Sequence, residues 1–505
     1  MRSSRLTWVL NRIGRAVFGS VAAGCALALG VALAAAANNA ADAKAAPGAE
    51  EETALLNPGE GYRYLGQITP RHARDIAASN WSVGAETMDR DFTVYANWRK
   101  YLGPLGAKKA RIQSGWAKTE KTPGEYDWAW LDEIIPDMVE QGVEPWVCLC
   151  YGNPIYPGGG GTGLGGNLID GEEALAAWDR YVTAFVERYK RYVNEWEIWN
   201  EPRGGRGKAA VQYADLVIRT AQIIRNLQPE AEILFAAGGA FDIGYAQDVL
   251  EHLKQQGKLD LVNRIIYHPY AYNPDSRQAA AMKLRALVKS YADHIDIQQG
   301  ENGAPSERGS FGAISDYDWT ELRQAKWATR RLLGDLGRDI PTSYFAICDM
   351  RYPSRTNLKG LLGIDDDKVV NRVKKSYHAV QHITAVFDNT LTRVEEFEAE
   401  VIGGDAGDHS VFGYRGNGGG GAVTVWRHTD SPGKNPTVET IGLTIPALKF
   451  DQPVLVDLVS GRVYAVDPKL ADRGKKQIRF RDVPVYDSVV VLADRSVIEH
   501  VLEEK

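Results

Sequence analysis

The chain has 505 residues, of which 44% are apolar, 10% aromatic and 25% charged, a globular composition long enough for two or three domains. Its 59 Lys and Arg against 65 Asp and Glu give a formal net charge of -6. This acidic balance argues against nucleic acid as a partner, and four cysteines are too few for a disulfide framework.

The N-terminal residues have the order of a secretory signal. Four arginines within the first 15 residues precede an Ala-rich apolar run at 17–37, and small residues follow it. We therefore expect residues 1–37 to be a signal peptide, residues 38–57 a flexible leader, and the mature protein to be secreted or periplasmic. The alternative is an uncleaved N-terminal membrane anchor, and no other membrane contact is expected.

Residues 58–389 alternate short β-rich runs with longer amphipathic stretches such as 174–189 and 212–227. Eight runs are strand candidates: 81–85, 109–113, 144–150, 194–199, 233–237, 264–267, 296–299 and 343–348. Eight strands that alternate with helices over this length predict a (β/α)8 barrel, the TIM barrel.

The pattern changes after residue 389. The runs at 421–426, 437–445, 453–458 and 488–492 are short, alternate in polarity, and are separated by Gly, Asp and Pro turns. Residues 390–505 are therefore predicted to form an antiparallel β-sandwich as an accessory domain. The predicted fold class is α/β, a TIM barrel followed by this C-terminal sandwich.

The fourth predicted strand carries three carboxylates, in the segment Asn-Glu-Trp-Glu-Ile-Trp-Asn-Glu-Pro at 194–202. Glu195 and Glu197 are interpreted as acids paired with nearby arginines. The proline ends the strand and leaves Asn200 and Glu201 at its carboxyl end, the catalytic face of a barrel. Strand alternation places Glu201 on the side of Glu197, with Asn200 on the opposite side.

A second acid, Glu301, ends the run at 296–299 in the segment Gly-Glu-Asn-Gly. About 100 residues separate it from Glu201, and roughly 30–35 residues per βα unit place the two acids on strands four and seven. Those strands lie on opposite sides of the barrel mouth. Two carboxylates that face each other across a bound sugar linkage are what glycoside hydrolysis requires.

These motifs resemble the retaining glycoside hydrolases of clan A. The Asn-Glu-Pro signature is shared by families 5, 10 and 39, among others. The order Trp-Glu-Ile-Trp-Asn-Glu-Pro and the segment Gly-Leu-Leu-Gly-Ile-Asp at 360–365 look closest to family 39, which commonly carries a β-sandwich after the barrel.

The resemblance implies roles for five residues. Glu201 is implied as the acid/base, Glu301 as the nucleophile, and Asn200 as the hydrogen-bond partner of the sugar 2-hydroxyl. Arg111, in Ala-Arg-Ile-Gln on strand two, and Tyr270, in His-Pro-Tyr after strand six, are implied to support the nucleophile.

Five further residues are candidates for supporting the site or contacting the sugar. His268 follows strand six and is either a satisfied core histidine or a site residue. Tyr151 and Asn153 are expected to border the substrate cleft beside the glycine-rich loop at 157–166. The indole rings of Trp116 and Trp199 complete the set, and Trp116 is either a sugar platform or part of the core.

The sequence therefore predicts a retaining glycosidase that cleaves the O-glycosidic bonds of a poly- or oligosaccharide by double displacement through a glycosyl-enzyme intermediate. The expected partner is the carbohydrate, and no cofactor is required. No metal is expected either, because the sequence has no His-x-His or His-Glu-x-x-His segment. The alternative is a catalytically inactive barrel that binds glycans or serves as a scaffold.

Overall fold

A computed structural model describes residues 56–404, 406–435 and 437–505. The predicted signal peptide at 1–37, and all but the last two residues of the predicted leader at 38–57, lie outside the described residues. Within the described ranges, no helix combines the length and the apolar character that crossing a lipid bilayer requires.

The centre of the fold is a closed barrel of eight parallel strands. They are β1 (Trp81–Gly84), β2 (Lys109–Gln113), β3 (Glu144–Leu149), β4 (Glu195–Ile198), β5 (Glu232–Ala236), β6 (Arg264–Tyr267), β7 (Asp296–Asn302) and β8 (Thr342–Tyr344). The barrel closes where β8 pairs with β1, with Ser343 opposite Ser82. Each strand coincides with a predicted run to within a few residues, so the (β/α)8 prediction is confirmed.

Helices cover the outside of the barrel and present their apolar residues to it. The longer ones are Ala129–Glu140, Glu172–Tyr189, Lys208–Leu227, Ile243–Gln255, Gln278–Tyr291, Glu321–Leu336 and Lys375–Val386. Within the described ranges, three further α-helices are single turns: Tyr95–Trp98, Trp116–Thr119 and Arg495–Ile498. In Glu172–Tyr189, for example, Ala174, Trp178 and Tyr181 are buried at helical spacing and fill the space against the strands.

Three short hairpins extend from the carboxyl end of the barrel. Their strand pairs are Glu120–Thr122 with Glu125–Tyr126, Met350–Tyr352 with Arg355–Asn357, and Leu362–Ile364 with Val370–Val373. The last two hairpins lie in the long connection after β8. This connection therefore supplies one wall of the space above the barrel.

Two antiparallel sheets form the predicted sandwich, which is confirmed. The larger sheet has eight strands, in the spatial order Leu391–Arg393, His409–Gly416, Gly421–Arg427, Val490–Asp494, Pro453–Asp457, Arg462–Val466, Tyr62–Ile68 and Leu502–Glu504. The smaller sheet has four, in the order Glu400–Ile402, Glu439–Pro446, Gln477–Val485 and Ala471–Arg473.

One strand of the larger sheet comes from the other end of the chain. Tyr62–Ile68 pairs with Arg462–Val466 on one side and with Leu502–Glu504 on the other. The predicted barrel boundaries of 58–389 are therefore wrong for this segment, which belongs to the sandwich. Its partners lie about 400 residues away in sequence, and local polarity alternation does not specify which sheet a strand joins.

The larger sheet is buried on both faces. In the strand Gly421–Arg427, Val423 and Val425 pack into the core that the two sheets share. The intervening residues Ala422 and Trp426 belong instead to the hydrophobic cluster of the barrel. The sheet is thus a shared layer between the barrel helices and the smaller sheet.

Buried polar contacts reinforce this layer along the helix Glu321–Leu336. Lys326 Nζ donates to Asp487 Oδ1 at 2.8 Å, and the hydroxyls of Thr329 and Ser488 lie 2.8 Å apart. All four side chains are buried. A buried ammonium without a counter-charge destabilises a fold, and the counter-charge of Lys326 belongs to the sandwich. The stability of the helix that carries Lys326 therefore depends on the sandwich.

We predict that Asp487→Ala lowers the free energy of unfolding by about 3 kcal/mol, because it leaves the Lys326 ammonium buried without its counter-charge. Urea denaturation followed by intrinsic fluorescence measures the change.

Removal of residues 390–505 should give insoluble protein, because it also removes Asp487 and leaves the Lys326 ammonium without its counter-charge.

The matched control is Asp451→Ala, which breaks the ion pair with Lys449 between side chains that are 62% and 67% exposed. An exposed pair contributes about 1 kcal/mol or less. Equal stability of the two variants would contradict the structural role given to the sandwich.

Candidate active site

The two acids meet in a cleft at the carboxyl end of the barrel. Glu201 follows β4 and Glu301 lies in β7, and both line a cavity of about 370 Å³. A carboxylate oxygen of each acid and a ring nitrogen of His268 lie within 4.8 Å of one another. The structure therefore brings together the two carboxylates that the sequence placed on strands four and seven.

The chain leaves β4 through left-handed backbone conformations, with φ of 66° at Trp199 and 47° at Glu201. Regular strand geometry stops at Ile198, and the alternation of sides stops with it. Asn200 and Glu201 consequently both reach the site, so their predicted placement on opposite sides is wrong. Left-handed backbone costs roughly 1–2 kcal/mol at a non-glycine residue, and such strain is concentrated at functional sites.

Both oxygens of Glu301 accept hydrogen bonds. Arg111 Nη1 donates to Oε2 at 3.2 Å, and the Tyr270 hydroxyl donates to Oε1 at 2.8 Å. Burial and the neighbouring Glu301 charge raise the pKa of Tyr270 well above its usual value, so its hydroxyl keeps the proton that it donates. These two donors set the orientation of the carboxylate.

Arg111 is the centre of a buried charge cluster. Its guanidinium makes a bidentate pair with Glu197, with both N–O distances 2.7 Å. It also donates to Glu86 Oε1 at 2.8 Å and to Asn200 Oδ1 at 2.8 Å. Arg111, Glu86 and Glu197 are completely or almost completely buried. The interpretation of Glu197 as an arginine-paired acid is confirmed.

Burial and the neighbouring charges shift the pKa values of the groups in this cluster. Burial raises the pKa of Glu86 to about 7, although Arg111 opposes the rise. Burial lowers the pKa of Arg111, but Glu197 and Glu86 outweigh burial and raise it overall. Arg111 is thus a permanent cation shared among several acceptors. Glu195 belongs to a separate pair at the other end of β4, where it contacts Lys109.

His268 lies between the two acids. Its Nδ1 is 2.8 Å from Glu201 Oε1 and 3.7 Å from Glu301 Oε2. Burial lowers the pKa of the imidazole, but the charge of Glu301 and the hydrogen bond and charge of Glu201 raise it above its ordinary value. When protonated, His268 donates this hydrogen bond to Glu201.

Asn200 is held by two side chains beside the acids. Its Oδ1 accepts from Arg111, and its Nδ2 lies 2.6 Å from the Tyr151 hydroxyl. The indole of Trp199 packs against Tyr151, with ring centroids 6.0 Å apart. Tyr151 and Trp199 are both buried, so they position Asn200 from behind rather than face the cleft.

Two predicted contact residues lie away from the cleft. Trp116 is completely buried between the rings of Tyr156 and Tyr181, with centroids 5.8 Å and 5.7 Å away. Its ring faces are not available to a sugar, so its prediction as a sugar platform is wrong. Asn153 is also buried, and its Nδ2 donates to the backbone carbonyl of Glu120 at 2.7 Å, which anchors the glycine-rich loop.

Other cleft residues lack a clear sequence signal. The aromatic side chains of Phe241, Phe345 and Tyr352 line the cavity, together with the ammonium of Lys359. Glu86 follows β1 as Glu201 follows β4. An acid shortly after a predicted strand is therefore the one sequence signal that indicates Glu86. A lysine in a hairpin connection normally faces solvent, and nothing local distinguishes Lys359.

Glu201, His268 and Glu301 form the one group in the described ranges whose ligand atoms are close enough to hold a metal ion. A metal there would lie against the guanidinium of Arg111, which already donates to Glu301. The repulsion between two cations disfavours coordination. The donor set suits proton transfer and nucleophilic attack better than metal binding.

The fold resembles solved glycoside hydrolases. A family 39 glycoside hydrolase from the gut symbiont Bacteroides cellulosilyticus WH2 matches with a TM-score of 0.58 and 16% identity, over 82% of this chain and 80% of that chain. A monomeric beta-xylosidase from Caulobacter crescentus CB15 matches with a TM-score of 0.54 and 16% identity, over 85% and 97%. The family 39 enzyme from Xanthomonas axonopodis pv. citri matches with a TM-score of 0.52 and 15% identity, over 85% and 95%.

No protein-family model and no curated protein sequence matches this chain. The likeness to the solved structures is a likeness of fold. It agrees with the barrel and with the sandwich after it.

We predict that Arg111→Met lowers the free energy of unfolding by about 3–5 kcal/mol, because it leaves Glu86 and Glu197 buried without their shared cation. Urea denaturation of the full chain measures the loss. Arg188→Met is the control, since it removes an arginine from a pair with Asp132 in which the side chains are 44% and 40% exposed. A wild-type midpoint for Arg111→Met would show that the cluster is not required for stability.

Proposed function

We propose that this protein is a retaining glycoside hydrolase that cleaves O-glycosidic bonds in an oligo- or polysaccharide. The observation that carries the proposal is the approach of Glu201 and Glu301, whose oxygens lie within 4.8 Å across the cleft. Retaining enzymes hold their carboxyl groups about 5–5.5 Å apart, whereas inverting enzymes need roughly 6.5–9.5 Å to admit a water molecule. The short separation favours direct attack by one acid.

The contacts of the two acids support different roles. Glu301 is held on both oxygens by Arg111 and Tyr270, which gives it the fixed orientation that a nucleophile requires. Glu201 contacts His268, whose ring nitrogen can accept or donate a proton. A general acid/base must gain and lose a proton in each cycle, and His268 is suited to assist both states.

In the first step, Glu301 attacks the anomeric carbon and the bond from that carbon to the glycosidic oxygen breaks. Glu201 donates its proton to the departing oxygen, so the leaving sugar departs as a neutral alcohol. The product is a glycosyl ester on Glu301. In the second step, Glu201 takes a proton from water, the water oxygen attacks the anomeric carbon, and Glu301 leaves as a carboxylate.

Asn200 is placed to contact the substrate during both steps. Arg111 occupies its carbonyl oxygen, and Tyr151 accounts for one of the two amide protons on Nδ2. The second amide proton remains to donate to a sugar hydroxyl. The implied contact with the 2-hydroxyl is therefore compatible with the orientation of this side chain.

Carbohydrate as the ligand class has further support. The aromatic side chains that line the cavity offer apolar ring faces to a pyranose. One of the structures similar in fold is named a beta-xylosidase. A non-catalytic glycan-binding barrel would share these features but would not need the paired acids. The mutants below distinguish hydrolysis from binding alone.

Export from the cytoplasm is part of the proposal. Its support is the order of residues 1–37, in which a basic end precedes an apolar centre and small residues.

We predict that Glu301→Gln loses at least about 10³-fold in kcat on every aryl glycoside that the wild type cleaves, because an amide cannot form the glycosyl ester. Glu201→Ala should lose about 10²–10⁴-fold on glycosides with poor leaving groups but little in the first step on 2,4-dinitrophenyl glycosides, whose leaving group needs no proton. Stopped-flow measurement of phenolate release tests both variants, and added azide should restore turnover of Glu201→Ala.

Glu144→Gln and Glu144→Ala are the controls, because Glu144 is an exposed acid at the amino end of β3. Equal losses for Glu301→Gln and Glu201→Ala on dinitrophenyl glycosides would contradict the assigned roles. Polysaccharide binding by a wild type that hydrolyses no glycoside would favour the non-catalytic barrel.

We also predict that protein recovered outside the cytoplasm of a bacterial host begins after residue 37. N-terminal sequencing of the exported protein is the measurement, and a variant with the four N-terminal arginines replaced by glutamate is the control that should stay inside. An intact N-terminus in the membrane fraction would indicate an anchor instead.

A further inference from the structure

Lys359 differs from the other buried lysines of the described residues. Lys326 pairs with Asp487 at 2.8 Å and Lys374 pairs with Asp349 at 2.6 Å. Lys359 is only 1% exposed, yet no ion pair in the described ranges includes it. Burial of an unpaired ammonium is costly. The counter-charge that Lys359 requires is therefore missing from the described side chains around it.

The surroundings of Lys359 place this cation in the active-site cleft. Its Nζ donates one hydrogen bond, to the backbone carbonyl of Phe311 at 3.3 Å. It lies 5.7 Å from the ring centroid of Tyr270, whose hydroxyl holds Glu301. An ammonium has three protons to donate, so donor capacity remains next to the reacting acids.

A glycine keeps the space in front of this ammonium open. Gly312 has φ of 97°, and a Cβ built on it would lie 3.2 Å from Lys359 Nζ and 3.4 Å from Asn357 Nδ2. Two donors therefore face the same small space, which a side chain would fill. Arg277 lines the same cavity and forms no ion pair within the described part of the chain.

We propose that Lys359 and Asn357, with Arg277 at the rim, form an anion-binding subsite, so that the sugar bound beside Glu301 carries a carboxylate or sulfate substituent. Both substituents are oxyanions, which ammonium, amide and guanidinium groups recognise by charge-assisted hydrogen bonds. This inference rests on the proposed function for its ligand class and narrows it from carbohydrates in general to acidic sugars.

The ionisation of Lys359 gives the subsite a pH dependence. Burial lowers the pKa of its ammonium to about 7, and Glu301 and Asp349 only partly oppose this effect. The other ionisable groups that line the cavity are Glu201, His268, Tyr270, Arg277 and Tyr352. The amine loses its charge as the pH rises above 7, so the preference for an anion should decline from pH 6 to pH 9.

The test measures binding of monosaccharides, which contain no glycosidic bond and are not cleaved. Isothermal titration calorimetry at pH 6 compares wild-type affinity for matched pairs: glucuronate with glucose, galacturonate with galactose, and each hexose with its 6-sulfate. We expect at least one acidic sugar to bind about tenfold more tightly than its neutral match, and the uronate and sulfate arms identify the anion. A ratio of the two affinities, acidic over neutral, that is below three for every pair overturns the proposal.

Three variants assign the preference to this subsite. Lys359→Met keeps the aliphatic stem and should reduce the ratio below two, whereas Lys283→Met, on the exposed face of the helix Gln278–Tyr291, should leave it unchanged. Asn357→Asp supplies an internal carboxylate and should also abolish the preference, which covers the case in which Lys359→Met does not fold. An affinity ratio above three that persists in Lys359→Met or Asn357→Asp overturns the proposal. A wild-type affinity ratio that is equal at pH 6 and pH 9 also overturns it.

This measurement is independent of turnover. If the wild type hydrolyses no glycoside but binds the acidic sugars preferentially, the proposed function fails and the anion subsite stands. If it hydrolyses neutral glycosides without any acidic preference, the proposed function stands and the subsite fails.

Discussion

The active site depends on one buried guanidinium. Arg111 extends from β2 into the barrel and donates to Glu86, Glu197, Asn200 and Glu301. These acceptors belong to β4 and β7 or follow β1 and β4, so a single cation links several strand ends across the barrel mouth. In a medium of low polarity such contacts are strong when satisfied and costly when broken. The orientation of Glu301 and Asn200 is therefore tied to the stability of the barrel.

The polar groups are arranged by depth. Arg111 and Glu197 are completely buried, while the side chains of Glu201 and Glu301 are each 13% exposed. The deep groups need no access to substrate because their function is to position other groups. The acids at the surface of the cleft can reach a ligand while their rear contacts remain shielded from water. Such preorganisation reduces the reorganisation that the reaction requires.

The sandwich packs against the same barrel. The larger sheet covers the helix Glu321–Leu336, which is buried without a break from Gln324 to Asp335. This helix follows β7 and the loop that carries Phe311 and Gly312. The position of that loop determines how much space lies in front of Lys359. The accessory domain thus supports the cleft through this helix, although none of its described residues lines the cavity.

The sequence by itself determined the eight barrel strands, the sandwich and the two acids, because period-two alternation and strand-ending motifs are local properties. Tertiary structure decided which sheet Tyr62–Ile68 joins, since that depends on partners far along the chain. It also decided that Trp116 lies in the core and Lys359 in the cleft. Burial and counter-charge are set by residues that only folding brings together, so local sequence carries no signal for them.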